Sequence, residues 1–298
     1  MPTNASWKAY AALFVGVLIL SLSAILTAMA QAPGAVVSFY RVLIGNLVLL
    51  LPFLASFRKD RLRLSGRGVW LALLAGLFFG LDLAAWATAI RAGGATIPTL
   101  LGNLAPIWVA LGAWLIFKEQ LNWKFWSGLA IALAGVLVVL NLSFENGLQA
   151  TPGAGWGLVS AVFYGAYLLT TQKGRDHLNA LSFFWLSALG SAICLLVLVF
   201  LLGDPLTGYP ASSIWAFVGL GVVVQGVGWL LITFTQGYLP ASVVAPTLLI
   251  QPVLTAFLAG PLLGEQFSAQ QWLGGAAVLL GIIVVYRSRL AAPAAQPA

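Results

Sequence analysis

Apolar residues recur along the chain in blocks of about 17 to 25, and each block can cross a ~30 Å hydrocarbon core at ~1.5 Å of rise per helical residue. The pattern predicts helices over 10–29, 36–54, 69–90, 96–117 and 123–142, then five more over 157–172, 181–202, 214–235, 242–263 and 270–286. The breaks between them are short and marked by Pro, Gly or charge, as at Ala32-Pro33-Gly34 and Leu239-Pro240. The expected fold class is therefore all-α integral membrane, with ten transmembrane helices, because lipid offers no partner to a backbone group left unpaired.

Sliding the chain on itself by 146 positions lays the third to fifth helices over the eighth to tenth without a gap. Gly80 then meets Gly226, Ala95 meets Ala241, Pro106 meets Pro252 and Ala110 meets Ala256. Glu119-Gln120 meets Glu265-Gln266, Trp126 meets Trp272, Gly128 meets Gly274 and Gly135 meets Gly281. The first helix fits the sixth at a shift of 149, pairing Trp7 with Trp156, Phe14 with Phe163 and Gly16 with Gly165. Ser38-Phe39 fits Ser182-Phe183 at a shift of 144. Each copy holds five helices, an odd number, so the second enters the membrane in the opposite sense, giving two inverted five-helix repeats. The expected organisation is a first repeat over 1–142, an outer linker over 143–156, a second repeat over 157–289 and a disordered cytoplasmic tail over 290–298, rich in Ala and Pro.

Composition agrees with this and removes alternatives. Of 298 residues 61% are hydrophobic and 7% charged, too few charges to build a soluble shell. The net charge of +7 does not point to nucleic acid, since the basic residues sit in short loops and make no broad basic face. With the N-terminus inside, twelve of the fourteen basic residues fall on the cytoplasmic side; Arg91 and Arg41 are the exceptions, and both termini are expected in the cytoplasm. Ala28-Met29-Ala30 before Gln31 resembles a signal-peptidase site, but the apolar run is too long for a signal core and the repeat needs this helix. A single cysteine, Cys194, and a single histidine, His177, leave no disulfide framework, no metal site and little for histidine-based catalysis. No cofactor is expected.

Several residues carry chemistry a lipid-buried helix does not need. Asp82 is the only acid deep within a predicted span, and Arg41 lies at nearly the same height on the second helix, so a pair between them is geometrically allowed. Such a pair either holds two helices together or offers Asp82 to a substrate ammonium or a coupling proton, with Arg41 near the outer vestibule. Trp86 lies one turn after Asp82, Tyr164 and Tyr167 are three apart, and Gln225 and Trp229 are four apart, so each set can share a face. Those aromatic residues also suit helix packing, and Trp7, Trp123, Trp126, Trp156 and Trp272 suit an interfacial belt. Asn103 and Gln251 lie beside Pro106 and Pro252, where a kink would free carbonyls for a ligand or simply serve packing. Glu119 and Glu265 occupy matched helix ends and are read as gate or capping charges; Gly76, Gly80, Gly128, Gly135, Gly274 and Gly281 are read as close-packing positions.

Pro33 with Ser38-Phe39-Tyr40-Arg41 opening the second helix, and Pro106 and Pro252 about a dozen residues before Glu119 and Glu265, resemble the drug/metabolite transporter superfamily in its EamA-type branch. The resemblance covers residues 10–289, and within the superfamily the chain looks most like the aromatic amino-acid exporter (YddG-type) group. It implies a bacterial inner-membrane exporter of amino acids, aromatic and other neutral, or of similar small metabolites. A central site between the repeats, lined by the first, third, fourth, sixth, eighth and ninth helices, would be reached alternately from either side. No Gly-x-x-x-x-Gly-Lys-Ser/Thr loop is present, so gradients must drive transport. A drug or nucleotide precursor is the alternative cargo. An intramembrane enzyme on lipid or prenyl substrates would need clustered carboxylates or a nucleophile beside a base, and a channel would need a charged ring or carbonyl filter; seven scattered acids offer neither.

Overall fold

The computed structural model describes residues 7–60, 65–93, 101–140, 152–263 and 268–290, and every regular element among them is helical. In order these are α1 (Trp7–Met29), α2 (Gly34–Val48), α3 (Leu50–Asp60), α4 (Gly66–Gly93), α5 (Ala105–Phe117) and α6 (Trp123–Val139). They continue with α7 (Pro152–Gly174), α8 (Ala180–Leu202) and α9 (Ala211–Gly219), which runs through a π-helical stretch (Leu220–Trp229) into α10 (Leu230–Thr235). The last are α11 (Ala241–Leu248), α12 (Ile250–Leu263) and α13 (Ala269–Leu290). Glu265, residues 143–151 of the linker expected over 143–156 and residues 291–298 of the tail expected over 290–298 lie outside the described residues.

Among the described residues six rods are long and apolar enough to cross a membrane, and α2 with α3 makes a seventh if taken as one span bent by 41°. α5 and α6 are shorter apolar helices. Leu201, Leu51 and Trp7 are each at least three-quarters exposed, which water would penalise and lipid does not. The chain is a multi-pass membrane protein.

Prolines sit just after three of the breaks between helical segments. The sequence suggests mid-span kinks at Pro106 and Pro252, but each falls in the first turn of a half-helix, α5 or α12, and the break precedes it at 103–104 or at Leu249. A first-turn proline needs no N–H donor, so the helix restarts there without loss. The bend at Leu49 and the π-helical stretch are not visible as periodicity; Pro52 accompanies the first in the same first-turn position. Helix starts are set by side chains too: Asn122 accepts from the Phe125 amide at 3.0 Å and Asn179 from the Ser182 amide at 2.8 Å.

α6 and α13 meet backbone to backbone. A Cβ at Gly128 would lie 2.8 Å from the Gly281 carbonyl oxygen, and one at Gly135 2.7 Å from that of Gly274. Gly128 matches Gly274 in the repeat and Gly135 matches Gly281, so each glycine packs on the other's counterpart. A twofold axis between the two helices requires that exchange of partners. Gly135→Ala is expected to cost about 1–3 kcal/mol by overpacking. Its apparent unfolding temperature in detergent should fall, while Gly155→Ala, with open space around it, leaves that temperature unchanged.

Candidate functional site

The helices enclose a cavity of about 600 Å³. Taking the lower end as the one where α1 begins and α13 ends, the cavity is walled by upper halves: Thr27 and Ala28 near the end of α1, Leu140 just beyond α6, and Gln271 at the start of α13. α4 carries Asp82 and Trp86 into it, α2 carries Arg41, and α7 carries Tyr164. Asn103, Pro106, Gln251 and Pro252 border it at the two matched helix breaks, and Trp229 closes it from the end of the π-helical stretch.

Asp82 is 8% exposed, and its Oδ1 accepts from the Ser160 hydroxyl at 2.6 Å. Arg41 donates from Nε to Gln225 Oε1 at 3.0 Å and from a terminal nitrogen to Ser23 Oγ at 3.4 Å, and its guanidinium carbon stands 5.9 Å from the centre of the Phe79 ring. Among the described residues Arg41 and Asp82 do not touch as an ion pair, although each feels the other's charge. Two opposite charges, each steadied by a neutral hydroxyl or amide, thus border the same space with donors and acceptors to spare.

Aromatic rings fill the wall around them. The Trp229 ring lies 4.9 Å from Phe79, 5.5 Å from Tyr167 and 5.9 Å from Tyr164, centre to centre, in edge-on contacts. Tyr164 comes up against Gln251. Two of the residues selected from sequence do not border the cavity. Tyr167 is 1% exposed and stands behind Phe79 and Trp229, and Gln225 is fully buried and holds Arg41. The widened π-helical turns set Gln225 against α2, where a Cβ at Gly45 would lie 2.7 Å from the Gln225 side chain. Ser160 and Phe79 escaped the sequence reading, yet each continues a face it had already marked: Ser160 one turn before Tyr164, Phe79 one turn before Asp82.

Below the cavity the helices close. Glu119, just past α5, accepts from the Ser242 hydroxyl at 2.5 Å and pairs with Arg289 at 2.9 Å. Tyr10 packs on Tyr286 with ring centres 6.0 Å apart, and Tyr286 is hydrogen-bonded to Thr247 at 3.2 Å. Among the described residues no three His, Cys, Asp or Glu side chains gather as metal ligands.

This architecture is shared with known proteins. A solved crystal structure with 19% sequence identity superposes with a TM-score of 0.81, over 96% of this chain and all of that one, and so has the same fold. A transporter of Archaeoglobus fulgidus described as uncharacterized is 27% identical over 252 residues, 84% of this chain and 86% of its own length. One of Clostridium kluyveri is 24% identical over 257 residues, 83% and 81% of the two chains, and the uncharacterized transporter YdfC of Bacillus subtilis is 24% identical over 252 residues, 84% and 80%. The model of the EamA-like transporter family matches twice, over residues 7–141 and 151–287. With the family's unit present in both halves and nearly the whole chain covered, this protein belongs to the EamA-like transporter family of the drug/metabolite transporter superfamily.

Proposed function

We propose that this transporter exports amino acids, aromatic and other neutral, across a bacterial inner membrane by alternating access between two inverted five-helix halves. The observation that carries the substrate class is the cavity's pair of unjoined charges, Arg41 and Asp82, among Trp86, Trp229, Phe79 and Tyr164. A zwitterion with an apolar side chain satisfies all three features together: carboxylate toward Arg41, ammonium toward Asp82, side chain on the rings. Reciprocal packing of Gly128, Gly135, Gly274 and Gly281 supports the inversion, with repeats over 1–142 and 157–289. Lys8, Arg67, Lys118, Lys124, Arg287 and Arg289 all lie toward the lower end, which supports a cytoplasmic lower end and a cavity facing outward.

Counterflow in proteoliposomes tests the reading. Labelled phenylalanine should exchange saturably, and its decarboxylated and deaminated analogues, each lacking one charge, should compete at least about 10-fold less well, since a hydrogen bond to a charged group is worth about 1.5–3 kcal/mol. Equal competition by either analogue would refute the zwitterion site. Absence of saturable exchange of any amino acid would refute the cargo.

A further inference from the structure

A line of buried polar groups runs down from the cavity floor toward the sealed lower end, between α7, α10 and α11. Below Tyr164 on α7 come Tyr167, Thr171 and Gln172; below Trp229 come Thr233 and Gln236; Ser242 and Glu119 lie at the bottom. Thr171, Thr233 and Ser242 are fully buried. Ser, Thr and Gln at a membrane-helix interface ordinarily join the helices by hydrogen bonds, so the bonding of these groups decides what the seam is for.

The seam is also incompletely bonded. Gln172 accepts from the Ala241 amide at 2.6 Å and Gln236 donates to the Leu168 carbonyl at 2.8 Å, tying the three helices together. The hydroxyls of Thr171 and Thr233 face that of Tyr167, yet neither makes a hydrogen bond of full geometry. Gln236 Oε1, Glu119 Oε1 and, at the cavity floor, the Trp229 indole N–H are likewise buried without a partner. Each such group is destabilising while it stays dry and unpaired. Elsewhere Ser191 donates to the Gly76 carbonyl at 2.8 Å and Thr235 to the Leu231 carbonyl at 2.9 Å, while Ser182 Oγ, Asn46 Oδ1, Gln225 Nε2 and His177 Nε2 are unpartnered. Five of the nine buried side-chain atoms without a partner among the described residues lie along this line, and their cost is recovered if the line is wet in the protein's other state.

We infer that this seam is the lower half of the permeation path, closed in this structure, and that on opening it takes water and the charged end of the substrate. Tyr167 then belongs to the path from below, which accounts for a polar aromatic residue next to the cavity that does not border it. The inference rests on the alternating-access reading.

The test labels single cysteines at Thr171, Thr233 and Gln236 in a Cys194→Ala background, using a membrane-impermeant methanethiosulfonate added to either side of oriented proteoliposomes. Labelling is measured during saturating phenylalanine exchange, so that the protein visits both states. The three positions should label from the lower side at least about 10-fold faster than Ser191→Cys, which stays dry. Thr233→Val supplies a second measurement: it removes an unmet hydroxyl, so the unfolding temperature should not fall, while exchange slows by at least about fivefold. Intact exchange with all three cysteines as slow as Ser191→Cys, or with Thr233→Val at the parent rate, would overturn the seam and leave the transporter reading standing. Loss of exchange in the unsubstituted protein would overturn that reading instead.

Discussion

Asp82→Asn will lower phenylalanine counterflow at least about 30-fold while leaving the protein folded. Asn has nearly the volume of Asp and still accepts from the Ser160 hydroxyl, so the local packing survives and only the negative charge goes. Removing one partner of a buried charge pair costs about 2–5 kcal/mol, which at about 1.4 kcal/mol per decade is 30-fold or more. Ser160→Ala removes one hydrogen bond and keeps the charge, so its loss should stay near fivefold. The sharper readout is selectivity. Arg41 remains in Asp82→Asn, so the deaminated analogue of phenylalanine, which keeps the carboxylate, should now compete as well as phenylalanine itself. A merely structural Asp82 would lower both together, and an unchanged ratio would remove the residue from ammonium binding. A rate equal to the parent's at every pH would also remove it from any proton role.

The same residues indicate how much could be read before the structure. Asp82 and Arg41 stand out in any sequence because charge inside hydrocarbon is costly, and Pro106 with Pro252 sets the register of the repeat. Trp86 follows from its place one turn after Asp82, and Tyr164 and Trp229 from sharing a helix face with Tyr167 and Gln225. What the pattern hides is which way a helix faces. In water an apolar stripe marks the buried side; in lipid both sides are apolar, so α1 and α8 read as uniformly hydrophobic and give no direction. That is why Tyr167 could be taken for a wall residue, although one face over it lies behind Trp229. Ser160 is hidden for another reason: a lone serine in a membrane helix commonly bonds its own backbone, and only the position of Asp82 across the gap reveals its partner. The π-helical stretch leaves no trace in composition, yet it decides that Gln225 holds Arg41 while Trp229 closes the cavity.

Glu119→Gln will open the lower end. Glu119 is nearly buried, Arg289 is 20% exposed, and their 2.9 Å contact joins α5 of the first half to α13 of the second, with Ser242 of α11 bonded to the same carboxylate oxygen. On the alternating-access reading these three helices separate as the lower path opens, and in this structure one carboxylate fastens them. Removing its charge leaves Arg289 unpaired in the closed state but free to reach water in the open one, so the loss falls on one state only and shifts the balance between them. Breaking a buried pair costs about 3–5 kcal/mol, and the partial exposure of Arg289 reduces this to about 2 kcal/mol, a shift of about 30-fold toward the lower-open state. Labelling of Gln236→Cys from the lower side in the absence of substrate measures that shift directly. Glu119→Gln should accelerate it by about that factor, Arg289→Gln should do the same, and the double exchange Glu119→Arg with Arg289→Glu should bring it back toward the parent rate. A rate that does not move in either single variant would mean the contact caps helix ends without holding the lower end shut. An ion pair contributes to a transporter's cycle only as far as it exists on one side of the transition and not on the other.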